Sequence, residues 1–363
     1  MSMTVPTRFL IGPVPTGADK DRVVQQTDND ALLARWSAIN SGYLEDTFTE
    51  QLMDPLLKKE RRYPLINRGT YVRTSTIDRL VADFLSKPTK SMKQIISLGA
   101  GSDTRFFRFI PGQSRPFLYH ELDFPVVTTR KIKSIQQGQD FILGMSCFGE
   151  PNIKVDLEAG SLQSQYYYIH PIDLRTVKPG SPIPEHIDPT LPTLFISECC
   201  LIYLSPNEAD DIFRWIVQSF GQASETKSNS VGIILYEPIK GGDGFGLTMI
   251  ENLAVRGIVL KTLHKYSSLE RQIARMQALG FTSGNGACDI NYIHNKWIEA
   301  REMERIDKLE LLDEREEWTM LAQHYCVAWG WVERGQQFED TDHTPFRKWS
   351  ELLQQEDIGP VQD

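Results

Sequence analysis

Gln94-Ile95-Ile96-Ser97-Leu98-Gly99-Ala100-Gly101-Ser102-Asp103-Thr104 is the stretch on which the fold turns. A short apolar run passes directly into Gly-Ala-Gly, which predicts a buried strand followed by a tight turn. Glycines at such a turn let the backbone approach a ligand with no Cβ in the way. The dinucleotide fingerprint G-x-G-x-x-G needs a third glycine, and Thr104 stands at that position. This weighs against a pyrophosphate-bearing cofactor and hence against a dehydrogenase.

Downstream, Phe117–Asp123, Tyr166–Ile172, Thr193–Glu198, Val231–Glu237 and His324–Trp329 read as further strands. Ser205-Pro206-Asn207-Glu208 opens a helix running towards Phe220. Ser205 caps it, Pro206 takes the first helical position and Glu208 can close a capping box. Ser268–Leu279 is a second helix, ended by Gly280. Strands alternating with helices from about residue 93 predict an α/β fold with a mostly parallel sheet. Upstream, residues 1–20 carry three prolines and two glycines and read as a flexible lead-in. Helical periodicity from Asp28 to Lys59, broken at Gly42, and again over 75–86, makes 21–92 a set of N-terminal helices outside the sheet. They are candidates for a lid over a catalytic domain spanning 93–331. Residues 134–165 read as irregular or as an insertion. Residues 332–363 read as a polar, acidic tail dispensable for chemistry, although Phe338, Phe346 and Trp349 could dock.

The chain has 363 residues, enough for one large domain or two ordinary ones, and is 40% hydrophobic and 24% charged, which excludes wholesale disorder. With 39 Lys+Arg against 48 Asp+Glu, its net charge of -9 makes it a poor partner for nucleic acid or an anionic membrane. No apolar run is long enough for a transmembrane helix, and the N-terminus lacks a signal-peptide pattern. Five cysteines, an odd number, argue against a disulfide framework and for a reducing, cytosolic compartment.

In open α/β sheets, ligands sit beyond the carboxyl ends of the strands. Asp123 ends the second strand, 22 residues after Gly101, where a carboxylate can accept both ribose hydroxyls of an adenosine. Asp173-Leu174 follows the third strand and Glu198 ends the fourth. Each alone reads as an ordinary turn. Together with Gly99 and Gly101 they would fall on one rim, and that convergence points to a ligand site. Arg73 could grip a carboxylate bidentately, though from spacing alone it reads as a surface residue. The glycine cluster Gly241–Gly246 reads as a mobile loop beside the pocket. There is no phosphate-binding-loop motif, no G-x-S-x-G, no H-E-x-x-H and no C-x-x-C, so no metal site is expected. Cys199 and Cys200 read as packed near a strand end.

NRGTYVR (67–73), LGAGSDT (98–104), ELDFPVVTTRK (121–131), Asp173-Leu174, SECCLIYLSP (197–206) and GDGFGLTMIENL (242–253) resemble, in order and over roughly residues 22–331, the leucine carboxyl methyltransferases. The length and acidic tail resemble fungal members. These enzymes methylate the C-terminal leucine carboxylate of the protein phosphatase 2A catalytic subunit. The resemblance implies a class I, Rossmann-like methyltransferase fold, S-adenosylmethionine as methyl donor and a cytoplasmic protein. It implies cofactor contacts from Arg73, Gly99, Asp123, Asp173, Leu174 and Glu198, to which the spacing adds Gly101. Arg35 stands where the family tends to have lysine. For catalysis the expectation rests on Arg73 and on Tyr203, whose hydroxyl could orient the acceptor carboxylate without neutralising it. The alternatives are a same-fold methyltransferase acting on a tRNA base or a small-molecule carboxylate, and a binding protein without activity.

Overall fold

Gln94–Leu98 (β1) is buried at all five positions, as a strand covered on both faces must be. The computed structural model describes residues 17–54, 56, 59–86, 91–221, 229–335 and 344–355. In chain order its elements are α1 (Gly17–Asn40), α2 (Pro64–Ser86), β1, α3 (Arg105–Phe109), β2 (Leu118–Asp123), α4 (Pro125–Gln137), α5 (Gln139–Met145), β3 (Lys154–Asp156), β4 (Ser161–Gln163), β5 (Tyr167–Pro171) and β6 (Thr193–Glu198). There follow α6 (Pro206–Phe220), β7 (Asn229–Pro238), α7 (Gly244–Val255), α8 (Leu269–Ala278), β8 (Gly284–Asp289), α9 (Ile290–Lys296), α10 (Ala300–Asp307), α11 (Arg315–Gln323), β9 (Tyr325–Arg334) and α12 (Arg347–Ser350).

The strands form one sheet in the order β3-β4-β5-β2-β1-β6-β7-β9-β8. β5, β2, β1, β6 and β7 are parallel. β9 runs antiparallel to both β7 and β8, and β3 and β4 add an antiparallel edge. Leu98, Leu122 and Ser197 lie side by side in register, so the loops after β1, β2 and β6 emerge at one level. Apolar clusters cover both faces. One gathers Phe84, Phe106, Phe107, Phe141, Tyr167 and Trp329. The other gathers Leu98, Phe195, Phe213, Trp215 and Phe281. Among the described residues no helix is long and apolar enough to cross a membrane.

Several elements depart from the sequence reading. α1 begins at Gly17, inside the expected lead-in, whose first sixteen residues lie outside the described ones. α2 begins at Pro64 rather than at 75; its first turns bury Asn67 and Arg68 as well as Tyr71 and Val72, so they show no apolar stripe to read. Its second half packs on the sheet: Ile77, Leu80, Val81 and Phe84 are fully buried in the cluster that covers it. Residues 134–165 hold α5 and the β3–β4 hairpin, whose three-residue strands leave no periodicity to read. The glycine cluster at 241–246 is not a loose loop. Asp243 accepts a hydrogen bond from the Gly246 N–H (2.8 Å) and caps α7.

The largest correction concerns the C-terminal segment. The last strand runs to Arg334, and residues 344–355 return to the core. The Phe346 ring stacks on Phe84 with centroids 5.2 Å apart, and Trp349 Nε1 donates to the Leu80 carbonyl (3.2 Å). Phe346 and Trp349 are 0% exposed. A Cβ at Gly232 would lie 2.5 Å from the Phe346 ring, so β7 makes room for it. Polar composition hid this, because a few aromatics dock while Lys348 between them pairs with Asp83 of α2 (3.0 Å). Phe338 lies outside the described residues.

Candidate functional site

The loops at the C-terminal ends of β1, β2, β5 and β6 open into a cavity of about 700 Å³, a size that suits a small-molecule ligand. Gly99, Gly101, Asp123, Asp173, Leu174, Glu198, Arg73, Arg35 and Tyr203 all line it. The structure therefore brings every candidate residue to one place, although Arg73 and Arg35 arrive from helices α2 and α1.

The glycines have local reasons. Gly99 and Gly101 have φ of +61° and +47°, a region that costs L side chains energy. A Cβ on Gly99 would also fall 2.4 Å from Cys200 Sγ. The Gly101 N–H donates to Asp123 Oδ2 (2.8 Å) and the Phe124 N–H to Asp123 Oδ1 (2.7 Å). Burial pushes the Asp123 carboxyl up, these two donors only partly offset it, and it rests at about 6. Such a group gains from further donors, such as ribose hydroxyls.

Glu198 is the polar centre of the opposite wall. Arg73 Nε donates to Glu198 Oε2 (2.6 Å), and Arg105 Nη1 donates to Glu198 Oε1. Burial pushes Glu198 up, but the two guanidinium groups outweigh it and hold the carboxyl below its ordinary range. It is a fixed anion, unsuited to taking up a proton. Arg73 also lies 4.5 Å above the Tyr236 ring, and Tyr236 stacks on Tyr325 at 5.5 Å. The terminal nitrogens of Arg73 have no hydrogen-bond partner among the described residues.

Arg35 Nε donates to Asp46 Oδ2 (2.8 Å), while its Nη2 is buried without a partner. Burial and the neighbouring Arg108 lower its pKa. An unpaired buried donor is costly and marks where an anionic group would be welcome. Asp173 is more engaged than the sequence suggests. Arg175 holds it (2.7 Å between Nη2 and Oδ2), and the same guanidinium forks onto Asp21 of α1. Tyr203 ends a 3₁₀ turn at Leu201–Tyr203. Burial pushes the pKa of its hydroxyl up, so it remains a neutral phenol. Cys199 is held at φ +49°, a strained conformation for a non-glycine residue. Burial pushes its thiol up to about 12. A protonated thiol is a poor nucleophile, in keeping with packing at the strand end.

Three features escaped the sequence. Asp28 of α1 accepts from both the N–H and the hydroxyl of Ser102 (2.8 Å each) and from Arg130 (2.5 Å), latching the helix onto the glycine loop. Arg105 is buried among Asp78, Asp103 and Glu198. The Tyr236–Tyr325 pair backs Arg73. No local pattern announces any of them, because, apart from Asp103 beside Arg105, the partners lie far along the chain.

The cradle fits an adenosyl-type cofactor. Gly99 and Gly101 shape the loop, and Asp123, Arg35 and Arg73 line the cavity. A charged pair at Glu198 would face the far end.

Comparison with known proteins agrees. The leucine carboxyl methyltransferase family model matches residues 18–217, more than half of the chain. A "Leucine carboxyl methyltransferase 1" of Aspergillus fumigatus is 47% identical over 359 residues, covering 92% of this chain and 88% of the relative. One of Emericella nidulans is 48% identical over 87% of each. The "Leucine carboxyl methyltransferase 1 homolog" of Arabidopsis thaliana is 34% identical over 84% of this chain and 88% of its own length. Among solved structures, a magnesium protoporphyrin IX methyltransferase is similar at a TM-score of 0.45, with 12% identity over 87% of this chain and all of the other. Sheet order, rim and relatives together give a class I methyltransferase fold, and the chain belongs to the leucine carboxyl methyltransferase family of enzymes.

Proposed function

We propose that this protein uses S-adenosylmethionine to form a methyl ester on the C-terminal leucine α-carboxylate of a protein phosphatase 2A catalytic subunit, in the cytoplasm. One observation carries the reading. Gly99, Gly101 and Asp123 share one cavity with Arg73, Tyr203 and Glu198, and the described residues that line it include no histidine.

In this reading Asp123 accepts the ribose hydroxyls, Asp173 and Leu174 border the base, and Arg35 and Arg73 hold the methionine carboxylate. When bound, the cofactor supplies an electrophilic methyl group on a positive sulfur. An α-carboxylate has a pKa of roughly 3.3–3.7, so it is already the nucleophile at neutral pH and needs no base. Glu198, tied to two arginines, serves as an anchor. It fixes Arg73, which orients the acceptor while Tyr203 donates one neutral hydrogen bond and leaves the second acceptor oxygen free. Anion and cation neutralise each other as the bond forms, so a dry, aligned site favours transfer. The first half of α1, tied down through Asp21 and Asp28, is the part suited to act as a lid.

Asp123 supports two tests. An Asp123→Ala variant loses a charged acceptor, a loss of about 1.5–3 kcal/mol, or roughly tenfold to a hundredfold in cofactor affinity by calorimetry. Because the carboxyl sits at about 6 and its ionised form accepts, affinity should be full above that pH. It should fall as pH drops through 6, by about tenfold per unit at most. Affinity that ignores both the variant and the pH would remove Asp123 from the cofactor site.

Tyr203→Phe keeps the ring and removes the donor. Single-turnover transfer is expected to slow by roughly tenfold, the worth of about one hydrogen bond, with cofactor binding intact. An unchanged rate would leave Tyr203 as packing under the cap at Ser205.

A further inference from the structure

Tyr119, Glu121 and Asp123 alternate along β2, so their side chains leave the strand on one face. All three bear on the glycine loop. Asp123 accepts from the Gly101 N–H. The Tyr119 hydroxyl donates to Asp103 Oδ2 (2.6 Å). Glu121 acts through Lys131 of α4. Lys131 Nζ donates to Glu121 Oε2 (2.5 Å) and to the Asp103 carbonyl (2.6 Å). Glu121 and Lys131 are the first and last residues of the stretch ELDFPVVTTRK, and neither is among the residues that line the cavity.

The side chains of Lys131 and Glu121 are 4% and 3% exposed. Burial pushes the Glu121 carboxyl up to about 7 even beside Lys131. A buried pair of this kind is often no more stabilising than apolar side chains of similar volume. What an apolar pair would not supply is a donor to the Asp103 carbonyl. Asp103 closes the turn that begins at Gly99, its N–H donating to the Ala100 carbonyl (2.9 Å). Its carboxylate accepts from Arg105, which also holds Glu198. The residue before it, Ser102, is held by Asp28, and Asp28 by Arg130. Two consecutive residues of α4, Arg130 and Lys131, thus bear on two consecutive residues of the loop.

From this arrangement we infer that Lys131 is a positioning residue for the cofactor loop, with Glu121 as its buried anchor. The ammonium fixes the Asp103 carbonyl, and with it the turn in which the Gly101 N–H meets Asp123. The inference rests on the reading of Gly101 and Asp123 as cofactor contacts. Without that donor the turn samples other arrangements, and apparent affinity falls with the fraction of molecules that hold the competent one.

Two variants of the full chain separate this role from a contribution to stability alone: Lys131→Met, and Lys131→Met combined with Glu121→Met. Each is compared with wild type by denaturant titration, and by calorimetric binding of S-adenosylmethionine where the fold is intact. Lys131→Met leaves Glu121 buried without its cation. Its unfolding midpoint should fall, and its cofactor affinity should weaken by about tenfold, as for one lost hydrogen bond from a charged donor. The double variant removes both charges. Its midpoint should return towards wild type, whereas its affinity should stay about tenfold low, because no donor reaches the Asp103 carbonyl. If Lys131→Met does not fold, the double variant carries the comparison alone. Affinity that recovers together with the midpoint in the double variant, or that stays at the wild-type value in both, overturns the positioning role. Asp123→Ala, measured alongside, tests the reading beneath it: unchanged affinity there overturns the cofactor contacts themselves.

Discussion

A chain truncated after Arg334 is expected to show no cooperative unfolding transition. The cut removes Phe346 and Trp349, both 0% exposed, and Leu352, at 7%. Replacing a buried Phe or Trp by Ala costs about 3–5 kcal/mol, and a buried Leu about 2–5. The sum rivals the roughly 5–15 kcal/mol that separates a native domain from its unfolded state. The loss also bares Phe84 and the surface of β7 at Gly232, which Phe346 covers. Trp349→Ala is the measured step: it should lower unfolding free energy by about 3–5 kcal/mol in a denaturant titration. A truncated chain that unfolds at the wild-type midpoint would contradict the packing of 344–355.

Arg105→Met is expected to cost about 3–5 kcal/mol, because it deletes one side of a buried ion network and leaves the other side in place. The Arg105 side chain is 3% exposed. Its Nε holds Asp78 (2.8 Å), and its Nη1 faces Asp103 (3.3 Å) and Glu198. Burial disfavours its charge, yet the carboxylates outweigh this and raise its pKa well above the ordinary value. Methionine fills similar space without charge and removes one cationic partner from each of three carboxylates. Arg108 still pairs with Asp78 and Arg73 with Glu198, but Asp103 keeps only neutral partners and the Lys131 charge nearby. Glu198 should then lose its fixed orientation and Arg73 with it, so turnover should fall further than cofactor affinity. Arg105→Lys keeps the charge but not the fork and should lie between. Equal stability of Arg105→Met and wild type would show that the network contributes nothing net.

The contrast between Asp123 and Arg105 shows what could be read in advance. β1, β6 and the rim residues Gly99, Asp123 and Glu198 were legible because short apolar runs end in residues whose roles depend on position along a strand. Arg105, Asp28 and the tail were not, because the partners that matter, Glu198, Ser102 and Leu80, lie 93, 74 and 269 residues away. Only the fold makes those pairs local. β8 was hidden for another reason. Its sequence Gly-Asn-Gly-Ala-Cys-Asp reads as a turn, yet a Cβ at Gly284 would lie 2.2 Å from the Trp331 ring and one at Gly286 2.6 Å from Trp329. The glycines there make way for neighbouring tryptophans within a paired strand. Arg73 fell between these cases. The expected helix began at residue 75, so both the place of Arg73 on α2 and its direction into the cavity followed only from the helix beginning at Pro64.

The central claim is that methyl is transferred to a C-terminal leucine carboxylate. The most direct measurement incubates the protein with methyl-labelled S-adenosylmethionine and a phosphatase 2A catalytic subunit, then treats the product with mild base. The account predicts label released as methanol, a C-terminal leucine heavier by one methylene before that treatment, and no label on a subunit lacking its terminal leucine. Label that survives base, or that appears equally on the subunit without its leucine, would contradict it.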